Sequence, residues 1–213
     1  MMKTVSLDVV SDVMCPWCYV GMRRLEKALD QIDDIQVDVQ WRPYQLDQTI
    51  PSEGMDRQTY LSNKFGGKAR AREVYARIEE AGQYEGIDFA FDKIEKSPNT
   101  LDCHRLIHWA QSTGKQNALV EHLFQLFFEQ GADLTQHDVL VAAAEHVGMD
   151  GVLVRDLLES DKDLEAVKAQ VSHAQQIGVT GVPCFIADQK FGLMGAQDPQ
   201  ALAEMIRKAA SEQ

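Results

Sequence analysis

The residues of this chain best suited to do chemistry are two cysteines separated by two residues, Cys15-Pro16-Trp17-Cys18. A thiolate at one of them could attack a disulfide, and the thiol three positions on could then attack the mixed disulfide so formed. The same spacing also suits half of a zinc site, which needs a second pair of ligands. Cys103, His104 and His108 are the residues that could supply it. Cys103, however, falls on an apolar helical face, and the two histidines fall where the polar side of that helix would hold them. A chance pairing is the third reading. Against it stands the position of the pair, where a strand pattern passes into a helix pattern.

Val5, Leu7 and Val9 alternate with polar residues, the period of a half-buried strand. Ser11 to Met14 reads as a short loop. From Pro16, residues Cys18, Met22, Leu25, Leu29 and Ile32 form one apolar stripe at helical spacing. Pro16 suits the first helical position, where its missing N–H would have no intrahelical partner. Cys15 at the helix start then faces unpaired backbone N–H groups and the positive end of the helix dipole, and both favour thiolate over thiol. Cys18 lies one turn in, on the core stripe, less exposed and placed to resolve a mixed disulfide. Ile35, Val37, Val39 and Trp41 give a second alternating strand, so the first forty residues read as a parallel βαβ unit.

Pro43 to Asp56 reads as loop, and a long helical block follows. Arg57 to Gly67 and Lys68 to Tyr84 are its first two helices. Ser97-Pro98 reads as a cap and a first-turn proline before a helix with Cys103, Leu106, Ile107 and Ala110 on its apolar face. Further apolar faces run to Gly131, Gly148 and Gly178, with Asp150 as a cap between the last two. Strand character returns over Val182 to Ala187 and Lys190 to Met194, joined at Asp188-Gln189. Asp198-Pro199 then caps a final helix that buries Leu202, Met205, Ile206 and Ala209. Thr180-Gly181-Val182-Pro183 places a proline at the mouth of the third strand, where it removes a ladder donor. A cis bond there would leave the preceding backbone free to pair with a bound peptide, whereas a trans proline at a strand edge is the plainer reading.

Composition narrows the partners. With 21 basic and 33 acidic residues the formal charge is −12, and no Lys/Arg run offers a basic face to nucleic acid or to an anionic membrane. No apolar run approaches the roughly 20 residues of a membrane span. Met1 to Ser11 is interrupted by Asp8, unlike a signal peptide. The expectation is a cytoplasmic, reducing setting, in which four cysteines are not a structural disulfide framework.

Taken together, these features resemble the thioredoxin fold, an α/β architecture of β-α-β and β-β-α halves. Here a large all-helical insertion follows the second strand. Residues 1–55 would form the N-terminal half, 56–177 the insertion and 178–213 the C-terminal half. The insertion resembles that of the DsbA branch. Three stretches are similar to its cytoplasmic FrnE-like group: Asp12 to Gly21, Ser97 to Asp102 with His104-Arg105-Leu106, and Gly178 to Pro183. The resemblance implies dithiol–disulfide exchange on protein or small-molecule thiol substrates. It implies no bound cofactor beyond the redox-active Cys15–Cys18 disulfide, with glutathione as a candidate redox partner. Cys15 would be the nucleophile, Cys18 the resolving thiol, and Pro183 with Val182 the substrate-positioning loop. Pro16 and Trp17 would line the docking surface, Trp17 exposed between the cysteines. Cys184 stands where a large apolar residue is expected and Cys103 where alanine is common, each a third redox thiol or a small hydrophobe.

Two other functions compete. The kappa-class glutathione transferases and 2-hydroxychromene-2-carboxylate isomerases resemble this chain along the fold and at Arg42-Pro43. They carry serine at the position of Cys15 and an Asp-Arg pair near the last strand, where this chain reads Gly195-Ala196-Gln197-Asp198-Pro199. A non-catalytic, chaperone-like module using the insertion is the third possibility. The direction of electron flow, the natural substrate and the oligomeric state stay open at this stage.

Overall fold

The computed structural model describes residues 3–213. Strand β1 (Lys3–Ser11) leads into helix α1 (Pro16–Leu29) and strand β2 (Ile35–Pro43). A short strand β3 (Met55–Asp56) precedes helices α2 (Arg57–Phe65) and α3 (Lys68–Tyr84), and strand β4 (Lys96–Ser97) follows them. Helices α4 (Leu101–Ser112), α5 (Gln116–Phe128), α6 (His137–His146), α7 (Gly151–Leu158) and α8 (Leu164–Gln176) complete the inserted block. Strands β5 (Cys184–Ala187) and β6 (Phe191–Met194) and helix α9 (Pro199–Ser211) close the chain. The main sheet has the order β2-β1-β5-β6, with β1 parallel to β2 and antiparallel to β5. This is the thioredoxin-like arrangement, with the helices of the insertion between β2 and β5.

Alternation along β1 divides the core. Val5, Leu7 and Val9 share one cluster with Phe185 and Ala187 of β5, the buried face of α1 and the α9 residues Leu202, Met205 and Ile206. Val10 and Cys184 belong to the reverse face of the sheet, with Tyr44, Ala174 and Val179. The first cluster runs without a break into the insertion through Tyr19, which is fully buried and stacks on Phe124 at 5.1 Å between ring centroids. Its hydroxyl donates to Glu129 at 2.6 Å, which satisfies the one polar atom of an otherwise apolar contact.

Two expectations need correction. Ser97-Pro98 does not open a helix. Ser97 pairs with Met55 across the small β3–β4 ladder, so the insertion is not wholly helical. The helix begins at Leu101, whose N–H is taken by Asn99 Oδ1 at 3.0 Å, while Asn99 Nδ2 donates to the Ile50 carbonyl. Ile32 likewise falls beyond the end of α1, which stops at Leu29.

Gly21 shows how tightly α1 is held to the strand that follows Pro183. A Cβ at this position would lie 2.8 Å from Pro183 Cγ and 3.3 Å from Phe185 Cζ. Alanine gains up to about 1 kcal/mol of helix propensity over glycine, but overpacking a dense contact costs roughly 1–3 kcal/mol. Gly21→Ala should therefore lower stability by about 1–2 kcal/mol in urea titrations. A variant as stable as the parent would show that the contact is loose.

Candidate functional site

Cys15 is the residue before the first turn of α1, in extended conformation at φ −93° and ψ 111°. Its N–H donates to the Asp12 carbonyl and its own carbonyl accepts from Cys18 N–H, both at 3.0 Å. These two bonds turn the chain so that the Cys15 side chain sits at the helix mouth. From the other half of the sequence, the Val182 carbonyl lies 3.7 Å from Cys15 Sγ and accepts its thiol hydrogen. The Val182–Pro183 peptide is cis. Residues 167 positions apart therefore meet at one sulfur.

Burial differs from expectation at several points. Cys15 is only 5% exposed, so it is a recessed sulfur and not a partly exposed one. Trp17 is half-buried against the core instead of standing free between the cysteines. Pro16 and Pro183 are buried and Val182 is half-buried. Cys18 is 1% exposed, and its thiol is pushed well above its ordinary range, chiefly by burial and then by the neighbouring Cys15. The Ser11 hydroxyl and the Asp12 main chain oppose that shift.

Asp12 is a fully buried carboxylate, where the sequence placed a polar loop residue. Its Oδ2 accepts the Leu46 N–H at 2.7 Å, and its Oδ1 lies 3.4 Å from Nε2 of His104. His104 is also buried, on the side of α4 read as a solvated face, with Asp12 of the β1–α1 connection at 3.4 Å. Arg57 is another buried polar side chain that periodicity does not disclose. Its guanidinium bonds the Tyr75 hydroxyl at 2.9 Å and lies over the Tyr75 and Phe127 rings. No carboxylate of the described residues comes within 4.0 Å of it. The Tyr60 and Tyr75 hydroxyls are held above their ordinary range, first by burial, with Arg57 and Cys15 pulling in opposite directions.

The other two cysteines stand apart from the dithiol. Cys103 is fully buried in α4, its thiol donating to the Leu134 carbonyl at 3.9 Å and pushed up by burial. Cys184, one residue past Pro183, belongs to the reverse face of the sheet. There it borders an open cavity of about 770 Å³, together with Val10, Ile186 and Met194 and, at the polar side, the Asp8–Arg42 ion pair.

This chain belongs to the DSBA-like thioredoxin domain family, whose model matches residues 6–207. It is similar to the YwbO protein of Bacillus subtilis (strain 168), at 27% identity over 184 residues and 86% of each chain. Among solved structures it is similar to a protein of Streptomyces coelicolor described as a probable DsbA oxidoreductase. The TM-score is 0.90 at 29% identity, over 98% of this chain and 91% of that one. A 2-hydroxychromene-2-carboxylate isomerase shares the fold, with a TM-score of 0.73 at 15% identity over 98% and 99% of the two chains. Among the described residues no helix is long and apolar enough to cross a membrane.

Proposed function

We propose that this protein is a thiol–disulfide oxidoreductase whose reacting atoms are the sulfurs of Cys15 and Cys18. The observation that carries the reading is the recessed Cys15 sulfur at the start of α1, with the Val182 carbonyl 3.7 Å away. In the reducing direction the Cys15 thiolate attacks one sulfur of a substrate disulfide. A Cys15–substrate S–S bond forms, the substrate's own S–S bond breaks, and the departing thiolate takes a proton from water. Cys18 then gives up its proton and attacks Cys15 Sγ. The Cys15–Cys18 bond forms, the mixed disulfide breaks, and the second substrate thiolate leaves. Two electrons have passed from the dithiol to the substrate. The reverse sequence oxidises a dithiol, and the redox poise of the partner couple sets the direction.

The surroundings suit these steps. Cys15 stands immediately before the first turn of α1, where its sulfur meets the Val182 carbonyl. Burial keeps Cys18 a neutral thiol until it is needed. Trp17, Pro16 and Val182 border the sulfur and would receive the substrate chain, with glutathione as the small thiol that closes the cycle. The isomerase reading is less well served. Asp198, the residue nearest to the Asp-Arg pair of glutathione users, is engaged in capping α9 by accepting the Ala201 N–H at 3.0 Å.

Brief alkylation of the reduced protein followed by peptide mass analysis tests the assignment. Cys15 and Cys184 are 5% and 4% exposed, so the order of labelling reports reactivity and not access. Cys15 should be labelled first. Labelling of Cys184 ahead of Cys15 would overturn the assignment.

A further inference from the structure

The reverse face of the main sheet is only partly covered, and strand register shows which side chains share it. Val10 of β1 stands opposite both Arg42 of β2 and Cys184 of β5, and Cys184 stands opposite Met194 of β6. Two residues along, Asp8 faces Ile186, which in turn faces Gly192. Side chains alternate between faces along a strand, so all of these lie on one side. With Ala174 of α8 and the following Ile177 they bound the open cavity of about 770 Å³, within the roughly 300–1,000 Å³ of small-molecule sites. At Gly192 the floor is empty without a packing reason. The backbone there is not in the left-handed region, and an added Cβ would meet only the Phe185 carbonyl oxygen, at 4.0 Å. A glycine inside a strand forfeits side-chain packing and often marks a place where a ligand approaches the backbone closely. Ile177 and Met194 are 54% and 51% exposed, so the cavity also leaves large apolar side chains uncovered.

The charged groups on these walls are biased toward the positive in a chain whose formal charge is −12. Arg42 donates from Nε to Asp8 and from Nη2 to Gln40, both at 2.6 Å, which leaves its Nη1 without a partner among the described residues. Lys190, at the β5–β6 turn, makes no ion pair among the described residues. The exposed His173 of α8 adds a ring nitrogen to the same cavity. Asp8 is the one carboxylate on the walls, and Arg42 already holds it. We propose that this cavity is a binding site for a small amphipathic monocarboxylate. Arg42 Nη1 and Lys190 receive its carboxylate, and its apolar body lies over Val10, Ile186 and the open backbone at Gly192. A phosphate dianion would suffer more from the negative charge of Asp8, and an uncharged ligand would leave the free donors unused. The site lies on the opposite face of the sheet from α1, and it does not depend on the reading of Cys15 and Cys18.

Octanoate titrated into the reduced protein and followed by methyl NMR tests the site. Saturable shifts are expected at Ile177, Ile186 and Met194, with Met22, buried under α1, unmoved. The uncharged 1-octanol should bind several-fold more weakly, and added salt should weaken octanoate alone. Gly192→Leu should abolish the octanoate shifts by filling the floor, in a protein that stays folded because a strand accepts a side chain more readily than glycine. Lys190→Glu, at an exposed position, should weaken octanoate several-fold and leave octanol unchanged. Absence of saturable shifts in the parent at millimolar octanoate would overturn the proposal. Equal affinity for octanoate and octanol would also overturn it, as would undiminished octanoate binding by folded Gly192→Leu. Movement of the same methyl signals on raising protein concentration alone would show that a second copy covers this face, which likewise contradicts a ligand site.

Discussion

Cys18→Ser should turn a protein that releases its substrates into one that accumulates them as covalent adducts through Cys15. The expectation follows from geometry. Cys15 sits at the mouth of α1 and meets the Val182 carbonyl, whereas Cys18 lies one turn deeper at 1% exposure. Removing the Cys18 sulfur leaves the first attack intact and deletes the intramolecular second one, so mixed disulfides persist until an outside thiol reaches them. Cys15→Ser should trap almost nothing, because the remaining Cys18 thiol is buried and held protonated by that burial. Non-reducing gels of lysate or of a model disulfide-bonded protein, with each variant as bait, measure the difference. Equal trapping by the two variants would show that the division into nucleophile and resolving thiol is wrong.

Alkaline solution should destabilise the reduced protein steeply. Cys18 and Cys103 are both pushed well above the ordinary thiol value of 9.0, first by burial. Tyr19, Tyr60 and Tyr75 are likewise raised from 10.0, again first by burial. The native state therefore keeps protons that the unfolded chain gives up, and stability falls with rising pH. This contribution is fully present below about pH 9 and is lost as pH rises beyond it, toward the folded-state values. Each fully buried thiol contributes a slope of about 1.4 kcal/mol per pH unit above its unfolded value. Two thiols thus remove about 3 kcal/mol per unit, a large share of the roughly 5–15 kcal/mol that holds a domain folded. Urea titrations of the reduced protein across this range should show the decline, and Cys103→Ala should remove about half of the thiol part. A stability that is flat from about pH 8 to 10.5 would contradict the burial on which the account of Cys18 depends.

Much of the scaffold is legible in local sequence because its signals are local. Alternation at Val5, Leu7 and Val9 marks β1. Pro16 marks the start of α1, and Asp198 caps α9 as its position before Pro199 suggests. Asp188 and Gln189, both at positive φ, turn β5 into β6, and Asp188 is secured by the Ser6 N–H at 2.9 Å. What misleads is tertiary cover. Ser97 reads as a helix cap until Met55, 42 positions earlier, takes its backbone.

The candidate site divides in the same way. The spacing of Cys15 and Cys18 is visible because it lies within one turn. The burial of Asp12 and His104 is not, since each looks solvated until the other's element is laid upon it. Arg57 is harder still to find. A buried cation satisfied by two hydroxyls, those of Ser97 and Tyr75, and by two rings, with no carboxylate, leaves no trace in charge spacing. Ser11, read as the start of a loop, is instead the last residue of β1 and is buried.

The most direct test of the central claim compares the parent and Cys15→Ser in two assays. One is reduction of the disulfides of insulin. The other is glutathione-dependent isomerisation of an aromatic chromene carboxylate. If electrons pass through the Cys15 sulfur, the parent reduces insulin and the folded Cys15→Ser protein does not, because one oxygen has replaced the redox atom in a nearly isosteric swap. If the reacting thiol belongs instead to glutathione, a serine hydroxyl at position 15 still serves it. Both proteins would then isomerise the carboxylate and neither would reduce insulin. We expect the first pattern; the second would contradict the assignment of this protein as a dithiol oxidoreductase.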